Sequence, residues 1–231
     1  MRRVAGPWTP AVQALLVHLR SHGFAEAPSA HGLDARGREI LGHVPGEVPS
    51  YPLPAWARSD EALVAVAGLV RRFHDASTGF VPPADARWQR LPGAPQGDEV
   101  ICHNDLAPYN TVYEQGRPVA LIDWDFAAPG PRVWDLAHAA WRYIPLGCGT
   151  PLDDACRRLR LLCDAYGLRQ RGGFVEVIAH RQQVLHDTIR EFAARGVPGF
   201  AAMWDTPHSE NPIRDRDHLL AHRAAFEAAL R

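Results

Sequence analysis

The 231-residue sequence contains no lysine: its 25 basic residues are all arginine. Arginine presents a planar fork of donors where lysine presents a point charge, so any cation that meets an anionic ligand here is a guanidinium. Cysteine is sparse. Cys102, Cys148, Cys156 and Cys163 form no C-x-x-C pair, which argues against a zinc knuckle or a dithiol redox motif. No apolar run approaches the ~20 residues that a membrane span needs. The opening Met1-Arg2-Arg3-Val4-Ala5-Gly6-Pro7 lacks the apolar centre of a signal peptide. A cytoplasmic protein without membrane contact is expected. Charge of one sign is not in excess either. A formal net charge of -1 offers no basic nucleic-acid face and no acidic tail, so a nucleic-acid partner is not expected.

What is present is an ordinary globular composition, 46% hydrophobic, in a chain long enough for one large domain or two small lobes. Thr9-Pro10 reads as an N-cap followed by proline at the first helical position. Val12, Leu15, Leu16 and Leu19 then repeat at helical spacing, and Gly23 supplies the stop. Residues 28–33 and 38–44 read as a hairpin around Asp34-Ala35-Arg36-Gly37. The proline-rich stretch from Pro45 to Pro54 reads as a linker. Ser59 caps the next predicted helix, with Asp60 and Glu61 in its first turn and a stripe of Leu63, Val66, Ala67, Val70 and Phe73. Residues 81–98 read as a loop, and helices are predicted over about 153–166, 172–195 and 215–230. Cys156 and Cys163 fall on the apolar stripe of the first of these and are read as small core residues. Asp153-Asp154 is read as its cap. A small strand-bearing front and a large helical rear make an α+β organisation.

The chemistry concentrates in residues 100–125. An apolar strand, Val100-Ile101-Cys102, runs into the polar loop His103-Asn104-Asp105-Leu106-Ala107-Pro108-Tyr109-Asn110. Thr111-Val112-Tyr113, a turn at 114–117, and a return strand ending at Asp123 form a hairpin that sets Asn110 and Asp123 side by side. Oxygen ligands of this kind suit magnesium, which keeps several waters and phosphate oxygens in its shell. A carboxylate beside them, Asp105, can accept the proton of an attacking hydroxyl.

The pattern His103-x-Asp105-x-x-x-x-Asn110, followed by Ile122-Asp123-Trp124-Asp125, resembles the catalytic loop and metal-binding strand of the aminoglycoside phosphotransferase family. The resemblance extends weakly over nearly the whole chain, including Pro45-Gly46-Glu47 and Phe73-His74-Asp75. It implies a protein-kinase-like two-lobed fold, with a truncated N-terminal lobe and hinge in residues 1–47 and a mainly helical catalytic lobe in residues 48–231. It implies transfer of the γ-phosphoryl group of ATP to a hydroxyl of a small molecule, with ATP and Mg2+ as the implied cofactors. By position, Asp105 resembles the catalytic base and His103 the histidine that braces the loop. Asn110 and Asp123 resemble the metal ligands, and Asp135 resembles a structural aspartate. Arg3, His43, Val44 and Asn110 fall at nucleotide-contacting positions. Asp125 stays open between a second metal and a salt-bridged carboxylate.

The sequence departs from the family pattern at its front. No glycine-rich strand pair precedes Thr9, and Arg2 or Arg3 stands where the family's nucleotide lysine is found. Residues 10–22 hold no acid to partner that cation, and Gln13 is the nearest polar side chain. Two alternatives follow: a pseudokinase or binding module, and a metal-dependent phosphohydrolase using His103, Asp105 and Asp123, which lacks further histidine ligands. The pairs His18/His22 and His218/His222 share helix faces without a third ligand and are read as surface or half-buried histidines. Trp56, Trp88, Trp141 and Trp204 are read as core or interface residues.

Overall fold

A computed structural model describes residues 1–147 and 149–231; Cys148 lies outside the described residues. The chain opens on a strand, β1 (Arg2–Val4), whose three residues are too few for a period of two to register in sequence. It turns at Gly6-Pro7 into α1 (Thr9–Ser21). Thr9 does not cap this helix as expected. Trp8 holds the cap position, and the Thr9 hydroxyl turns back to accept the Gly6 amide at 3.0 Å. The expected hairpin is formed by β2 (Ala30–Leu33) and β3 (Arg38–Leu41). Asp34 Oδ1 closes its turn by accepting the amides of Arg36 and Arg38 at 2.9 and 3.0 Å. β1 joins the far side of β3, giving an antiparallel sheet in the order β1-β3-β2.

The next helix, α2 (Asp60–Ser77), starts as its sequence dictates, with Ser59 Oγ accepting the Ala62 amide at 3.1 Å. Its predicted stripe is fully buried. Residues 81–98 form neither helix nor strand. Then come β4 (Val100–Cys102), β5 (Thr111–Glu114), β6 (Arg117–Leu121) and β7 (Ala128–Gly130). β5 and β6 are the expected hairpin, and β4 pairs with β7. The return strand stops at Leu121, two residues short of Asp123, because Asp123 takes a left-handed φ of 62° that a strand cannot continue through. The linker docks on this hairpin: Glu47 and Tyr113 exchange two backbone hydrogen bonds of 2.8 Å. Gly46, at φ 135°, is required beside that contact, since a Cβ there would stand 2.4 Å from Val112 Cγ1 and 2.7 Å from Tyr113 O.

The rear is helical: α3 (Arg132–Tyr143), α4 (Leu152–Tyr166), α5 (Phe174–Ala194), α6 (Pro198–Trp204), α7 (Asn211–Ala221) and α8 (Arg223–Leu230). The helix expected over 215–230 is two helices, broken where His222 leaves helical geometry at φ -108°, ψ 17°. Asp153 and Asp154 lie in the first turn of α4 rather than capping it; Pro151 holds the cap position, and Asp154 pairs with Arg157 at 2.8 Å. Cys156 and Cys163 are buried in the core, as expected. α2 packs on α4, α3 on α5, and α4 on α8. These elements enclose a core that runs from Leu15 and Phe73 through Trp124 and Leu159 to Phe226. Among the described residues, no helix is long and apolar enough to cross a membrane.

Candidate active site

The loop between β4 and β5 is pinned from behind by Asp135 on α3. Its buried carboxylate accepts the backbone amides of His103 (2.7 Å, Oδ2) and Asn104 (2.8 Å, Oδ1), and His74 Nε2 lies 3.0 Å from Oδ2. Burial acts to raise the Asp135 pKa, but His74, His103 and the amides outweigh it and hold the group below the usual carboxylate range. Asn104 sits at φ 65°, and all four of its polar atoms are engaged. Besides its amide, Nδ2 donates to Phe126 O at 2.9 Å, Oδ1 accepts from Trp134 Nε1 at 3.0 Å, and O accepts from Arg181 Nη2 at 2.6 Å. His103 is fully buried. Its Nε2 lies 3.0 Å from Ile122 O, and its Nδ1 accepts the Asp105 amide at 3.3 Å. Both ring nitrogens are thus spent on backbone, one of them beside Asp123.

This bracing presents Asp105 with a quarter of its side chain exposed. Tyr109 Oη donates to Oδ1 at 2.9 Å and Asn110 Nδ2 donates to Oδ2 at 2.7 Å, while His138 Nε2 lies 3.4 Å from Oδ1. Burial acts to raise the Asp105 pKa, but His138, His103 and Tyr109 together overcome it, and the carboxyl sits well below its ordinary value. Asn110 backbone O accepts the Ile122 amide at 2.9 Å, which fastens it next to Asp123. Asp123 is 54% exposed. Its pKa is raised by burial and by Asp125 and Asp105, against the opposing pull of His103 and Arg3. A carboxylate crowded by carboxylates is short of positive charge.

Arg3 brings part of that charge from the front sheet. Its Nε donates to Glu39 at 2.5 Å, its Nη2 to Asp125 at 2.5 Å, and its Nη1 lies 3.6 Å from Asp123. Arg2 instead points to Asp34 at 3.7 Å and is largely exposed. The acid that holds Arg3 therefore comes from β3, not from the first helix. Gln13 of α1 supports it by donating to Glu39 Oε1 at 2.8 Å. Sequence reasoning missed Glu39, although one signal was present: in β3 it is in phase with buried Leu41, so it is an acid on the inward face of a strand. Asp125, left open in the sequence, is a salt-bridged carboxylate in this structure.

The remaining expected positions are less connected. His43 and Val44 lie between β3 and Gly46, His43 exposed and Val44 half-buried. Among the described residues, no hydrogen bond joins either to Asp105, Asn110 or Asp123. His18 and His22 stack at 3.9 Å, and His218 and His222 meet at 4.6 Å. Among the described residues, no group of three His, Cys, Asp or Glu is arranged to hold a metal. Of Trp56, Trp88, Trp141 and Trp204, Trp141 reaches the site, its ring 5.7 Å from that of His138.

His138 was not visible in the sequence because α3 was not predicted: proline holds its cap position and no side chain caps it. Both its ring nitrogens are buried without a hydrogen-bond partner. Burial and Arg181 push its pKa down to about 3, against Asp105, so the folded protein keeps the ring neutral. Below the ordinary value of 6.5 the unfolded chain binds a proton that the folded chain refuses, so stability falls with pH from 6.5 toward 3. The expected slope from this group is ~1.4 kcal/mol per pH unit. Urea denaturation of the parent and His138→Gln across this window tests it. The variant should be flatter, and equal slopes would contradict the assignment.

Residues 82–173 match the model of the phosphotransferase enzyme family, APH. Trifolitoxin immunity protein of Rhizobium leguminosarum bv. trifolii is 38% identical over 251 residues, covering 99% of this chain and 91% of that protein. The chain belongs to the APH phosphotransferase family. Solved structures share its fold along nearly all of its length. A choline/ethanolamine kinase family protein from Mesorhizobium loti aligns with a TM-score of 0.64 at 15% identity, covering 98% of this chain and 83% of that one. The GDP complex of aminoglycoside 2'-phosphotransferase-IIIa aligns with a TM-score of 0.58 at 13% identity, covering 94% and 83%. At these identities the likeness establishes the fold, which is protein-kinase-like, with the APH chain's three-stranded sheet at its front.

Proposed function

We propose that this APH-family chain transfers the γ-phosphoryl group of ATP to a hydroxyl of a small molecule, with Asp105 as the base. The observation that carries the reading is an ionised, quarter-exposed carboxylate whose partner Asn110 is itself tied beside Asp123. The acceptor hydroxyl replaces Tyr109 at Asp105 Oδ1 and gives up its proton there. Its oxygen bonds to the γ-phosphorus as the bond to the bridging oxygen breaks, and ADP leaves with that electron pair. His103 and Asp135 hold the loop so that the base is already aimed. Residues 1–47 serve as nucleotide lobe and hinge and residues 48–231 as catalytic lobe. In the front lobe, Arg3 faces the phosphates, and His43 and Val44 border the nucleotide base.

The donor set fits magnesium: Asn110 spends its Nδ2 on Asp105, which leaves its carboxamide oxygen free on a residue whose backbone is tied to Ile122, the neighbour of the half-exposed carboxylate Asp123. When bound, the ion would neutralise phosphate charge. Asn110→Ala and Asp123→Ala are each expected to weaken magnesium-dependent nucleotide binding, Asp123→Ala more because it removes formal charge. Calorimetric titration with nucleotide, with and without magnesium, decides the point. Binding that is equal in parent and variants under both conditions would take both residues out of the metal site.

The relative's name connects that protein with immunity to a toxin. For this chain the corresponding reading is phosphorylation of a hydroxyl-bearing toxic compound, an acceptor within the same class of reaction.

A further inference from the structure

Beside Asp105, on the side of Tyr109, stand one guanidinium and three aromatic rings. Arg142, in the last turn of α3, lies over the Tyr109 ring at 5.5 Å and over the Trp141 ring at 5.0 Å. Its Nη2 reaches the Tyr51 hydroxyl at 3.5 Å, the limit of a hydrogen bond. Tyr51 and Tyr109 are exposed and Arg142 is half-buried, so the rings frame the guanidinium without sealing it. Tyr109, the ring beneath it, is the residue whose hydroxyl occupies Asp105 Oδ1. The cation therefore stands one aromatic ring from the base.

Of the chain's other half-buried guanidiniums, Arg90 rests on the Pro129 carbonyl at 3.4 Å, and the rest are ion-paired. Arg3 is paired with Glu39 and Asp125, Arg132 with Asp75 and Glu99, and Arg171 with Asp164. Arg142 forms no ion pair among the described residues, and its Nε is buried without a hydrogen-bond partner. A nearby acid, Asp215, directs Oδ2 to Trp141 Nε1 at 2.8 Å. Partial desolvation of an unpaired charge costs free energy that a ligand can return. Cation–π contact with two rings holds the intrinsically planar donor fork in place, which suits bidentate capture of a carboxylate or phosphate.

We propose that Arg142 binds the acceptor, and that the acceptor is a small hydroxyl compound carrying an anionic group. The guanidinium takes the carboxylate or phosphate while the hydroxyl displaces Tyr109 from Asp105. This rests on the reading of Asp105 as the base of a phosphotransferase, and it adds the charge class of the substrate. A cationic acceptor would meet like charge at the same place.

Four compounds with one or more primary hydroxyls separate the possibilities: glycerate (a carboxylate), glycerol 3-phosphate (a phosphate), glycerol (neutral) and choline (a cation). Each is titrated by calorimetry into the protein saturated with magnesium and a non-hydrolysable ATP analogue. The parent should bind glycerate, glycerol 3-phosphate or both in preference to glycerol and choline. The Arg142→Gln variant should bind the anions ~10–100-fold more weakly, and Arg142→Lys should retain part of the affinity. Near-ultraviolet circular dichroism and nucleotide binding establish that the variants are folded, and Arg142→Lys carries the test if Arg142→Gln is not. Choline bound as tightly as the anions, anion binding unchanged in Arg142→Gln, or binding of none of the four would each overturn the proposal. Incubation of the parent with ATP and whichever anion binds then separates the two readings. Anion binding through Arg142 without a phosphoester product would leave Arg142 as an anion site but overturn its role as the acceptor site, together with the reaction.

Discussion

Asp105→Asn is expected to lower phosphoryl transfer by ~10²–10⁴, the range a general base contributes, while the fold and magnesium–nucleotide affinity stay close to the parent's. The substitution preserves shape, and its remaining carbonyl oxygen can still accept from Tyr109. The other position places an amide opposite the Asn110 Nδ2 that now donates to Asp105 Oδ2 at 2.7 Å. That mismatch costs one hydrogen bond in a loop otherwise held by Asp135, Arg181 and Trp134. What is lost is the acceptor for the substrate proton. Steady-state rates alongside a denaturation curve separate the two effects. A variant that turns over like the parent would show that Asp105 takes no proton.

The second large effect is on stability. Arg3→Met leaves Glu39 buried with Gln13 as its remaining side-chain donor, and removes the one guanidinium shared by Glu39, Asp125 and Asp123. Removing one partner of a buried ion pair typically costs 3–5 kcal/mol; with Arg3 26% exposed and Gln13 retained, a loss of roughly 2–4 kcal/mol is expected. Replacing both partners by apolar residues of similar volume removes the stranded charge, so Arg3→Met with Glu39→Leu should recover most of the loss. Guanidinium denaturation of the parent, both single variants and the double variant gives the coupling. An Arg3→Met protein as stable as the parent would mean that the contact is solvated. A double variant no better than Arg3→Met would mean that Glu39 was not the stranded group.

The sequence was most legible where local rules and tertiary placement agree. α2 combines a serine cap, first-turn acids and a stripe buried as predicted. The loop from His103 to Asn110 and the β5–β6 hairpin were visible because apolar runs, a Gln-Gly turn and polar residues alternate at short range. The parts that were not legible are set by contacts distant in sequence. β1 is a strand because β3 pairs with it, some 36 residues away at Arg3 and Glu39. α3 has no side-chain cap, and apart from Asp135, which the family resemblance marks, its His138 and Arg142 read as polar residues until β4 and α5 close around them. Glu39 was passed over because an acid in a short strand ordinarily faces solvent. Here the inward face meets a guanidinium delivered from β1, and a lysine-free sequence conceals that pairing from any search for a lysine–glutamate pattern.

The central claim is phosphoryl transfer from ATP to a hydroxyl, and phosphorus NMR of the purified chain tests it most directly. The protein is incubated with ATP, magnesium and hydroxyl acceptors that include glycerate and glycerol 3-phosphate. The account predicts a new phosphomonoester resonance that grows as the γ-phosphate of ATP is consumed and that is nearly absent with Asp105→Asn. Release of inorganic phosphate from phosphomonoesters without nucleotide, or bound ATP that is never consumed under any acceptor, would contradict it.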